Sequence, residues 1–545
     1  MSILFFGGIN VITKLHFDDF RIFKDKDIYL GEVITAIAGQ NASGKSTILS
    51  VLCNSCELKS GDGKTITNKA FKSEFSEIIK GSKTHDKPNG FIGHITINNQ
   101  LFHDYNIRFR VTWQKKKTDD VEATRFRIIP SRQDPHTNKN LSSKFPMPVF
   151  YLGLSRLYPL GETADEKIQN FTLAKLNDND IEWLNSNYKK ILSLYDINIH
   201  QITNYKIDNK VSGGINTDEY DYLTNSCGQD NLMQILYVLL SFKKLFEDFK
   251  VNNKIWLGGI FAIDEIDASL HPAAQIKLLD LMYNLCKEIN IQVVFTTHSL
   301  QLLNALSKYK NKKEVSISYL TTANNTLQIK NNPEYCVMES DMMITNFYTE
   351  KYLNQITVYS EDDEARWFFS QLLDKHLPRL NIVHIKLGAQ SLLDLLYHDN
   401  SYFKNVLFIL DGDQNETKSK KYESLSSKFN NIITLPGNIS PEQLIFDYLI
   451  NLPAEHEILE DNLYKGVTIR SIREQGPFTN KYMDCKKDRE KYKQWFVDNK
   501  TMLEDIDVVK FWIRDNPELY NSFMNDFVKS FNILANRIHI PRIIK

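Results

Sequence analysis

The sequence has almost no net charge, because its 66 Lys and Arg residues are balanced by 67 Asp and Glu residues over 545 positions. This balance excludes the globally basic surface of a constitutive nucleic-acid binder, so any nucleic-acid contact has to be a local patch. Cysteine is scarce: six scattered residues exclude a disulfide framework and are typical of a reducing compartment.

Long apolar runs are also missing. No stretch approaches the ~18 to 20 apolar residues of a membrane-spanning helix, and residues 1–10 lack the charged start and cleavage site of a secretory signal. Glycine and proline, at 22 and 15 residues, are too few for extensive disorder or a collagen-like structure. We therefore expect a cytoplasmic globular protein without a membrane segment, and the length predicts about three or four domains.

Runs of strands and helices divide the chain into three regions. Residues 1–345 carry β-branched runs followed by alternating strands and helices, which predicts an α/β domain with a parallel sheet. Within it, residues 115–144 predict a polar loop and residues from about 160 to 225 predict a helical insertion. Residues 354–452 alternate again and predict a smaller α/β domain, and residues 453–545 predict a helical C-terminal region.

The phosphate-binding pattern G-x-x-x-x-G-K-[ST] is met by residues 39–46, which follow a strand-like run and precede a helix-like run. The backbone N–H groups of such a loop surround phosphates, and the helix N-terminus adds its positive end. Lys45 is expected to reach the β- and γ-phosphates, and Ser46 to bind Mg²⁺. The candidate nucleotide-binding residues are Gly39, Asn41, Ser43, Gly44, Lys45, Ser46 and Thr47.

Two later strand-like runs end in residues that suit catalysis. The run IFAI is followed by Asp264 and Glu265, and the run VVFTT by His298. Ligands of parallel α/β sheets bind at the carboxyl edge of the strands, so these side chains are expected beside the phosphate-binding loop. Asp264 would hold Mg²⁺ directly or through water, Glu265 would orient the attacking water as general base, and His298 would sense the γ-phosphate.

These segments together resemble the ABC-type ATPases, in particular their soluble SMC/RecF/OLD-like branch, from about Ile12 to Leu303. The resemblance implies ATP and Mg²⁺ as ligands and a P-loop ATPase fold. It also implies a homodimer or higher oligomer through the ATPase domains, since in this family the signature motif of one protomer closes the ATP site of another.

The family signature LSGGQ is resembled by residues 225–229, in which Ser226, Gly228 and Gln229 match and Cys227 replaces the first glycine. These three matching residues are therefore candidates for nucleotide binding. Residues 267–272 resemble the D-loop that follows the acidic strand end in this family. Residues 151–156 stand where the family places its Q-loop, and a contact with the γ-phosphate or a partner is expected there.

A second group of acids follows strand-like runs in the smaller domain. The run ITVYS leads into Glu361, and the run NVLFIL leads into Asp411 and Asp413. Carboxylates at the ends of neighbouring strands would converge at one sheet edge and bind one or two Mg²⁺ or Mn²⁺ ions, which can activate water for phosphodiester cleavage. The structural alternative is that the acids at 361–364 cap the following helix and that DGDQN is a solvated turn.

This arrangement resembles a TOPRIM domain, in which a Glu and a D-x-D motif bind metal. An ABC-type ATPase followed by TOPRIM resembles the OLD-family nucleases, which include the nuclease of the Gabija anti-phage system. Two departures stand out: Asp362 replaces the usual glycine, and Ala365 stands where a further acid is expected, with Glu364 as the nearest substitute. Glu442 opens a later helix and is either a further ligand or a helix N-terminal acid.

The same domain order also resembles the ATPase of Septu-type and retron-linked defence systems, which act with a separate HNH nuclease subunit. We favour a regulatory ATPase that assembles with and controls such a nuclease, because the acidic motif departs from the TOPRIM pattern. The first alternative is an OLD-family nuclease that cuts DNA with its own metal cluster. The second is a DNA-repair ATPase, although the lack of long heptad runs counts against an SMC rod.

A basic stretch at residues 481–493 carries six Lys or Arg residues and two tyrosines. Cations interleaved with aromatic residues can contact nucleic acid, and such a contact would be conditional on nucleotide, dimer closure or a partner. Three acids interrupt the stretch, which favours a solvated helix face.

Overall fold

The computed structural model describes most of the chain and divides it into two compact units, Met1–Met343 and Ile344–Lys545. The described residues are 10–73, 75–88, 90–99, 105–115, 123–133, 140–174, 176–208, 210–309, 311–345, 355–415 and 420–543. Within this part of the chain, no helix has the length and apolarity that a membrane crossing needs.

The first unit contains 15 strands and seven α-helices among its described residues. The strands are β1 (Asn10–Phe20), β2 (Phe23–Tyr29), β3 (Ile34–Gly39), β4 (Phe91–Asn99), β5 (Tyr105–Lys115), β6 (Ala123–Gln133), β7 (Asn140–Leu141), β8 (Val149–Leu152), β9 (Gln169–Asn170), β10 (Ile199–Ile207), β11 (Lys210–Thr217), β12 (Gly259–Ile263), β13 (Ile291–Thr297), β14 (Val315–Thr321) and β15 (Gln328–Asn331). The helices are α1 (Lys45–Cys53), α2 (Phe75–Ile78), α3 (Asp178–Leu192), α4 (Cys227–Val251), α5 (Pro272–Glu288), α6 (Leu300–Ser307) and α7 (Tyr335–Met343).

The core sheet of this unit has the order β15-β14-β3-β13-β12-β8, and all its strands except the edge strand β15 are parallel. Its central strands are buried along their whole length, because both faces of the sheet are covered. On one face Ala36 and Val293 pack in the same core as α4 and α5. On the other face Ile37 and Val294 pack in the same core as α1 and an antiparallel sheet.

That antiparallel sheet has the order β2-β1-β4-β5-β6-β7 and corrects one prediction. Residues 115–144 were expected to form a loop, yet β6 and β7 lie within this range. Phe126 and Ile128 of β6 are buried and alternate with more exposed arginines, so the period of two was hidden by the basic residues between them. Residues 116–122 and 134–139 of the expected loop lie outside the described residues.

The expected helical insertion at 160–225 is also corrected. Among the described residues of this range, only α3 is an α-helix, and β9, β10 and β11 form a separate antiparallel sheet with the order β11-β10-β9. The helical pattern of α3 is real, but the β-hairpin that follows carries many polar residues on its exposed face. Its alternation was therefore weaker than the helical pattern beside it.

The second unit contains a four-stranded parallel sheet with the order β17-β16-β18-β19. The strands are β16 (Ile356–Ser360), β17 (Leu380–Ile382), β18 (Leu407–Leu410) and β19 (Ile432–Thr434). The helices are α8 (Asp363–Leu373), α9 (Ala389–His398), α10 (Asn400–Phe403), α11 (Lys420–Phe429), α12 (Pro441–Ile450), α13 (Glu457–Asp461), α14 (Ile469–Glu474), α15 (Asp488–Asp505), α16 (Val508–Asp515) and α17 (Pro517–Ile538).

The C-terminal helices of the second unit share a hydrophobic core with its sheet. Trp367 on α8 packs edge-on against Phe496 of α15, and Phe368 packs edge-on against Trp512 of α16. Phe369 makes the same kind of contact with α17. A boundary near residue 452 therefore separates two parts of one packed unit, and α15 is held close to the end of β16.

Candidate functional site

The phosphate-binding loop lies at the carboxyl end of β3, in the middle of the core sheet. Two of its glycines have backbone conformations that L side chains rarely adopt, with φ of +144° at Gly39 and +93° at Gly44. A Cβ on Gly39 would lie 2.1 Å from the carbonyl oxygen of Leu320. The loop therefore needs glycine at its base, and α1 begins immediately after Gly44.

Lys45 of the loop is hydrogen-bonded to backbone carbonyls, and the hydroxyl of Ser43 has no hydrogen-bond partner among the described residues. The Nζ of Lys45 donates to the carbonyl oxygens of Gly39 and Gln40, each at 2.9 Å. Burial lowers the pKa of Lys45, although the nearby charges of Glu265 and Asp264 oppose this shift. The buried Oγ of Ser43 has no hydrogen-bond partner among the described residues. These donors fit the oxygens of a phosphate chain.

Asp264 directly follows β12 and is held by three hydroxyl groups. Its Oδ1 accepts a hydrogen bond from Thr296 at 2.6 Å. Its Oδ2 accepts from Ser46 at 3.2 Å and from Tyr151 at 3.3 Å. Ser46 and Asp264 are thus adjacent, as residues that bind one Mg²⁺ ion of a P-loop ATPase have to be, and hard oxygen donors of this kind fit Mg²⁺.

Hydrogen bonds restrain both the backbone N–H and the carbonyl oxygen of Glu265. Its N–H donates to Oγ1 of Thr296 at 2.6 Å, and its carbonyl oxygen accepts from Nη2 of Arg156 at 2.8 Å. The φ of Glu265 is +48°, a conformation that costs free energy for a residue with a side chain and that is found at functional sites. His298, after β13, has a lowered pKa because of burial and the charge of Lys45, so its ring is neutral at pH 7.

These groups surround a single cavity of about 320 Å³. The turn between β1 and β2 closes one side of it with Arg21, Ile22 and Phe23. The sequence-predicted residues that line the cavity are Asn41, Ser43, Gly44, Lys45, Ser46, Thr47, Asp264, Glu265 and His298. Sequence reasoning missed the role of Thr296, whose Oγ1 is hydrogen-bonded both to Asp264 and to the N–H of Glu265. Its position near the end of a strand-like run was the available signal.

The signature-like segment begins α4 and does not line this cavity. Ser226 caps the helix: its Oγ accepts the N–H of Gln229 at 3.3 Å, and Gln229 Oε1 accepts the N–H of Ser226 at 2.8 Å. A Cβ on Gly228 would lie 2.4 Å from the carbonyl oxygen of Ser269, so the helix start packs against the D-loop-like segment. Ser226 is exposed, and none of these residues is among those that line the cavity.

Comparison with known proteins gives a family match in the same region. Residues 34–304 match the family model described as "AAA domain, putative AbiEii toxin, Type IV TA system". This range starts with β3 and ends in α6, so it contains the whole cavity wall after β2. This part of the chain is therefore similar to an AAA-type ATPase domain. ATP with Mg²⁺ is the ligand that such a domain implies.

Among solved structures, the chain is similar to the SMC head domain from Thermotoga maritima, with 14% identity, a TM-score of 0.30, and coverage of 59% of this chain and 98% of that one. It is also similar to the Smc head domain with an extended coiled coil, bound to the C-terminal domain of ScpA and derived from Pyrococcus furiosus, with 13% identity, a TM-score of 0.31, and coverage of 59% and 96%. No curated protein matches the chain.

The second group of predicted residues converges in the other unit. One carboxylate oxygen from each of Glu361, Asp411 and Asp413 lies within 4.8 Å of the others, so this cluster can surround a cation. Glu361 Oε1 accepts the backbone N–H of Asp411 at 2.9 Å, and its Oε2 accepts that of Ala389, at the start of α9, at 3.2 Å. Asp411 Oδ1 is buried and has no hydrogen-bond partner among the described residues.

Two cations from α15 contact acids at 362, 411 and 413, and sequence reasoning missed these contacts. Arg489 Nη2 donates to Asp411 Oδ2 at 2.8 Å, and its Nη1 lies 3.6 Å from Asp413 Oδ2. One turn further along the helix, Lys493 pairs with Asp362. Both cations belong to the stretch that was interpreted as a solvated helix face or a nucleic-acid contact. The structure instead turns them toward the acidic cluster.

The acids of this region differ in how well their charge is compensated. Burial and the neighbouring Glu361 raise the pKa of Asp411 well above its usual value, and burial also raises the pKa of Glu442. Both carboxylate oxygens of Glu442 are buried without a hydrogen-bond partner among the described residues. Burial also acts to raise the pKa of Asp362, but the hydrogen bond and charge of Lys493, together with the hydrogen bond from the backbone N–H of Ala365, outweigh burial and lower it. The cluster thus carries more acid than its two cations balance.

Proposed function

We propose that this chain is an ATP-binding and ATP-hydrolysing regulatory subunit that assembles with a separate nuclease of the HNH type and controls it in a prokaryotic anti-phage defence complex. The observation that carries the ATPase part is the convergence of Lys45, Ser46, Asp264 and Glu265 on one cavity at the edge of the core sheet. The assignment of the nuclease to another subunit rests on the ion pairs of the second unit, and the defence setting rests on the matching family.

The residues of the cavity have distinct roles in this proposal. Lys45 binds the β- and γ-phosphates, and Ser46 with Asp264 holds Mg²⁺, which neutralises charge that develops on the phosphates. Glu265 orients water for attack on the γ-phosphate, and the double backbone restraint on it serves this geometry. The neutral His298 donates a hydrogen bond toward the γ-phosphate position.

A second copy of the chain completes the site. Ser226, Gly228 and Gln229 lie outside the cavity of their own chain, and Ser226 is exposed. A homodimer, or a higher oligomer built from it, would bring these residues to the phosphates of a partner. The capping hydrogen bonds between Ser226 and Gln229 hold the start of α4 in place before a second copy binds.

The nuclease is assigned to another subunit because of α15. The second unit has a TOPRIM-like acidic cluster, but Arg489 already pairs with Asp411, and Lys493 pairs with Asp362. A divalent cation would have to compete with Arg489 for the carboxylates of Asp411 and Asp413. The defence setting is supported by the description of the matching family, which names a toxin of a toxin–antitoxin system.

One observation favours the alternative, an OLD-family nuclease with its own Mg²⁺ or Mn²⁺ cluster. Glu361, Asp411 and Asp413 have the spacing of a cation site, and Asp411 Oδ1 is a buried oxygen without a hydrogen-bond partner among the described residues. A cation there would activate water for phosphodiester cleavage. Nucleic acid would then be a substrate of this chain itself, and its binding would still be conditional on the ATPase state.

The two functions are separated by assaying the purified full chain. We expect it to hydrolyse ATP and to leave plasmid DNA and RNA intact with Mg²⁺ or Mn²⁺, and affinity purification from the cells that encode it should recover an HNH nuclease. Nicking of DNA by the chain alone, abolished by Asp411→Ala and by Asp413→Ala, would establish the alternative. Failure to bind ATP would overturn both.

A further inference from the structure

We infer that Arg156 and Asn231 are positioning residues that link the general base Glu265 to the start of α4, so that ATP hydrolysis responds to the second copy of the chain at the signature segment. This inference rests on the proposed ATPase function and adds a route of communication to it. It concerns residues that do not touch the nucleotide cavity.

Arg156 is buried, with only 1% of its surface exposed, although a charged side chain is costly to bury. Each nitrogen of its guanidinium group donates a hydrogen bond: Nη2 to the carbonyl oxygen of Glu265 at 2.8 Å, Nη1 to that of Gly153 at 3.0 Å, and Nε to Oδ1 of Asn231 at 2.7 Å. A planar guanidinium that bridges three elements transmits displacement between them, because its donors keep a fixed geometry.

Asn231 extends this link to the D-loop-like segment. It lies on α4, five positions after the exposed Ser226, and is fully buried. Its Nδ2 donates to the carbonyl oxygen of Ala268 at 2.9 Å. The next turn of α4 adds a further bond, since Gln234 Nε2 donates to the carbonyl oxygen of Arg156 at 2.9 Å. The start of α4 is therefore hydrogen-bonded both to Arg156, which contacts the carbonyl of Glu265, and to the D-loop-like segment that follows Glu265.

The energetic argument concerns the conformation of Glu265. Its backbone has a φ of +48°, which persists only if the surroundings hold it. Thr296 accepts the N–H of Glu265, and Arg156 donates to its carbonyl oxygen. Of these two residues, Arg156 is the one hydrogen-bonded to Asn231 of α4. A displacement of about 1 Å at a general base can lower a rate about 100-fold. A small movement of α4, when a second copy contacts Ser226, is thus sufficient to change hydrolysis.

The test compares Asn231→Ala with Asn431→Ala in the full chain. Asn431 is a fully buried asparagine of the second unit whose Nδ2 also donates to backbone carbonyls, so it controls for the loss of a buried amide. We expect Asn231→Ala to lower kcat for ATP about 10-fold or more while ATP affinity stays within about twofold, because Lys45 and Ser46 are untouched. Asn431→Ala should leave both unchanged.

A second variant, Asn231→Asp, keeps the inference testable if Asn231→Ala does not fold. Asn231→Asp has the same shape and keeps the acceptor for Arg156, but it loses the donor to Ala268. We expect it to retain kcat more closely than Asn231→Ala, and in the Glu265→Gln background to weaken the ATP-dependent dimer about 10-fold in light scattering. Equal kcat in Asn231→Ala and the unaltered chain, or equal losses of kcat and ATP affinity, would overturn the inference. Absence of ATP hydrolysis in the unaltered chain would instead overturn the proposed function.

Discussion

In the ATPase cavity the carboxylate of Asp264 is held by three hydroxyl groups, whereas in the second unit the carboxylate of Asp411 is paired with the guanidinium of Arg489. Lys45 follows the first pattern, because it is bonded to two backbone carbonyls. Neutral partners orient a charge without cancelling it, so the charge is available for a charged ligand. A counter-ion from the same chain neutralises the charge, so a ligand has to displace that counter-ion.

The pKa shifts follow the same division. Burial lowers the pKa of Lys45, and the negative charge of a bound phosphate would oppose this shift. In the second unit, burial together with Glu361 raises the pKa of Asp411, even though Arg489 opposes the shift. The ATPase cavity is therefore prepared for a bound anion with its cation, and the acidic cluster is partly neutralised by α15.

The largest expected effect is on ATP hydrolysis in the ATPase cavity. Glu265→Gln should lower ATP turnover by about 100-fold to 10,000-fold, the range for loss of a general base, while ATP binding remains. Rapid-mix measurement of phosphate release, together with calorimetric ATP titration, checks both. If the variant hydrolyses ATP at an unaltered rate, another group orients the water.

Lys45→Ala should weaken ATP binding about 100-fold or more, since it removes the charge that the loop carbonyls hold in place for the phosphates. Lys287→Ala is the control, because Lys287 forms its ion pair with Glu314 away from the cavity. Titration calorimetry with ATP and Mg²⁺ measures both variants. Tight ATP binding by Lys45→Ala would mean that the cavity is not the nucleotide site.

A smaller effect is expected when the counter-ion of the acidic cluster is removed. Arg489→Met should tighten Mn²⁺ binding about 10-fold, because the metal no longer competes with a guanidinium for Asp411. Lys491→Met, on the same helix, is the matched control, since Lys491 pairs with Asp488 outside the cluster. The loss of the free-ion electron paramagnetic resonance signal of Mn²⁺ reports binding. Equal affinities in both variants would show that Arg489 does not guard the cluster.

The smallest effect concerns stability. The raised pKa of Asp411 means that its contribution to folding is fully present below the unfolded pKa, near 4, and is lost as the pH rises through the folded pKa. Asp411→Asn cannot ionise, so at pH 7.5 it should raise the Tm of the second unit by about 2 to 4 °C, and this gain should vanish near pH 4. Calorimetric melting at both pH values checks the sign, and a lower Tm at pH 7.5 would contradict it.

Much of the ATPase site was predictable from the sequence because its determinants are local. The loop from Gly39 to Ser46 is contiguous, and Asp264, Glu265 and His298 directly follow apolar strands. The rule that ligands bind at the carboxyl edge of parallel strands then places them together. The catalytic roles of these residues stay predictions until the variants are assayed.

The errors arose where a pattern was weak or mixed. β6 carries arginines between its buried Phe126 and Ile128, so a strand of the antiparallel sheet was interpreted as a loop. In the insertion, α3 has a clear helical pattern, whereas β10 and β11 do not alternate cleanly. In both places the burial that defines the strand comes from partners distant in the sequence, which periodicity alone does not report.

By itself, the sequence determined the phosphate-binding loop and the acids at the strand ends of both units, because each depends on neighbouring residues. Only the tertiary structure decided which charges meet. Arg489 lies 78 positions from Asp411, and Lys493 lies 131 positions from Asp362, yet α15 brings both pairs into contact. Since electrostatic pairing depends on distance in space, the folded chain alone distinguishes a charge held for a ligand from a charge already paired.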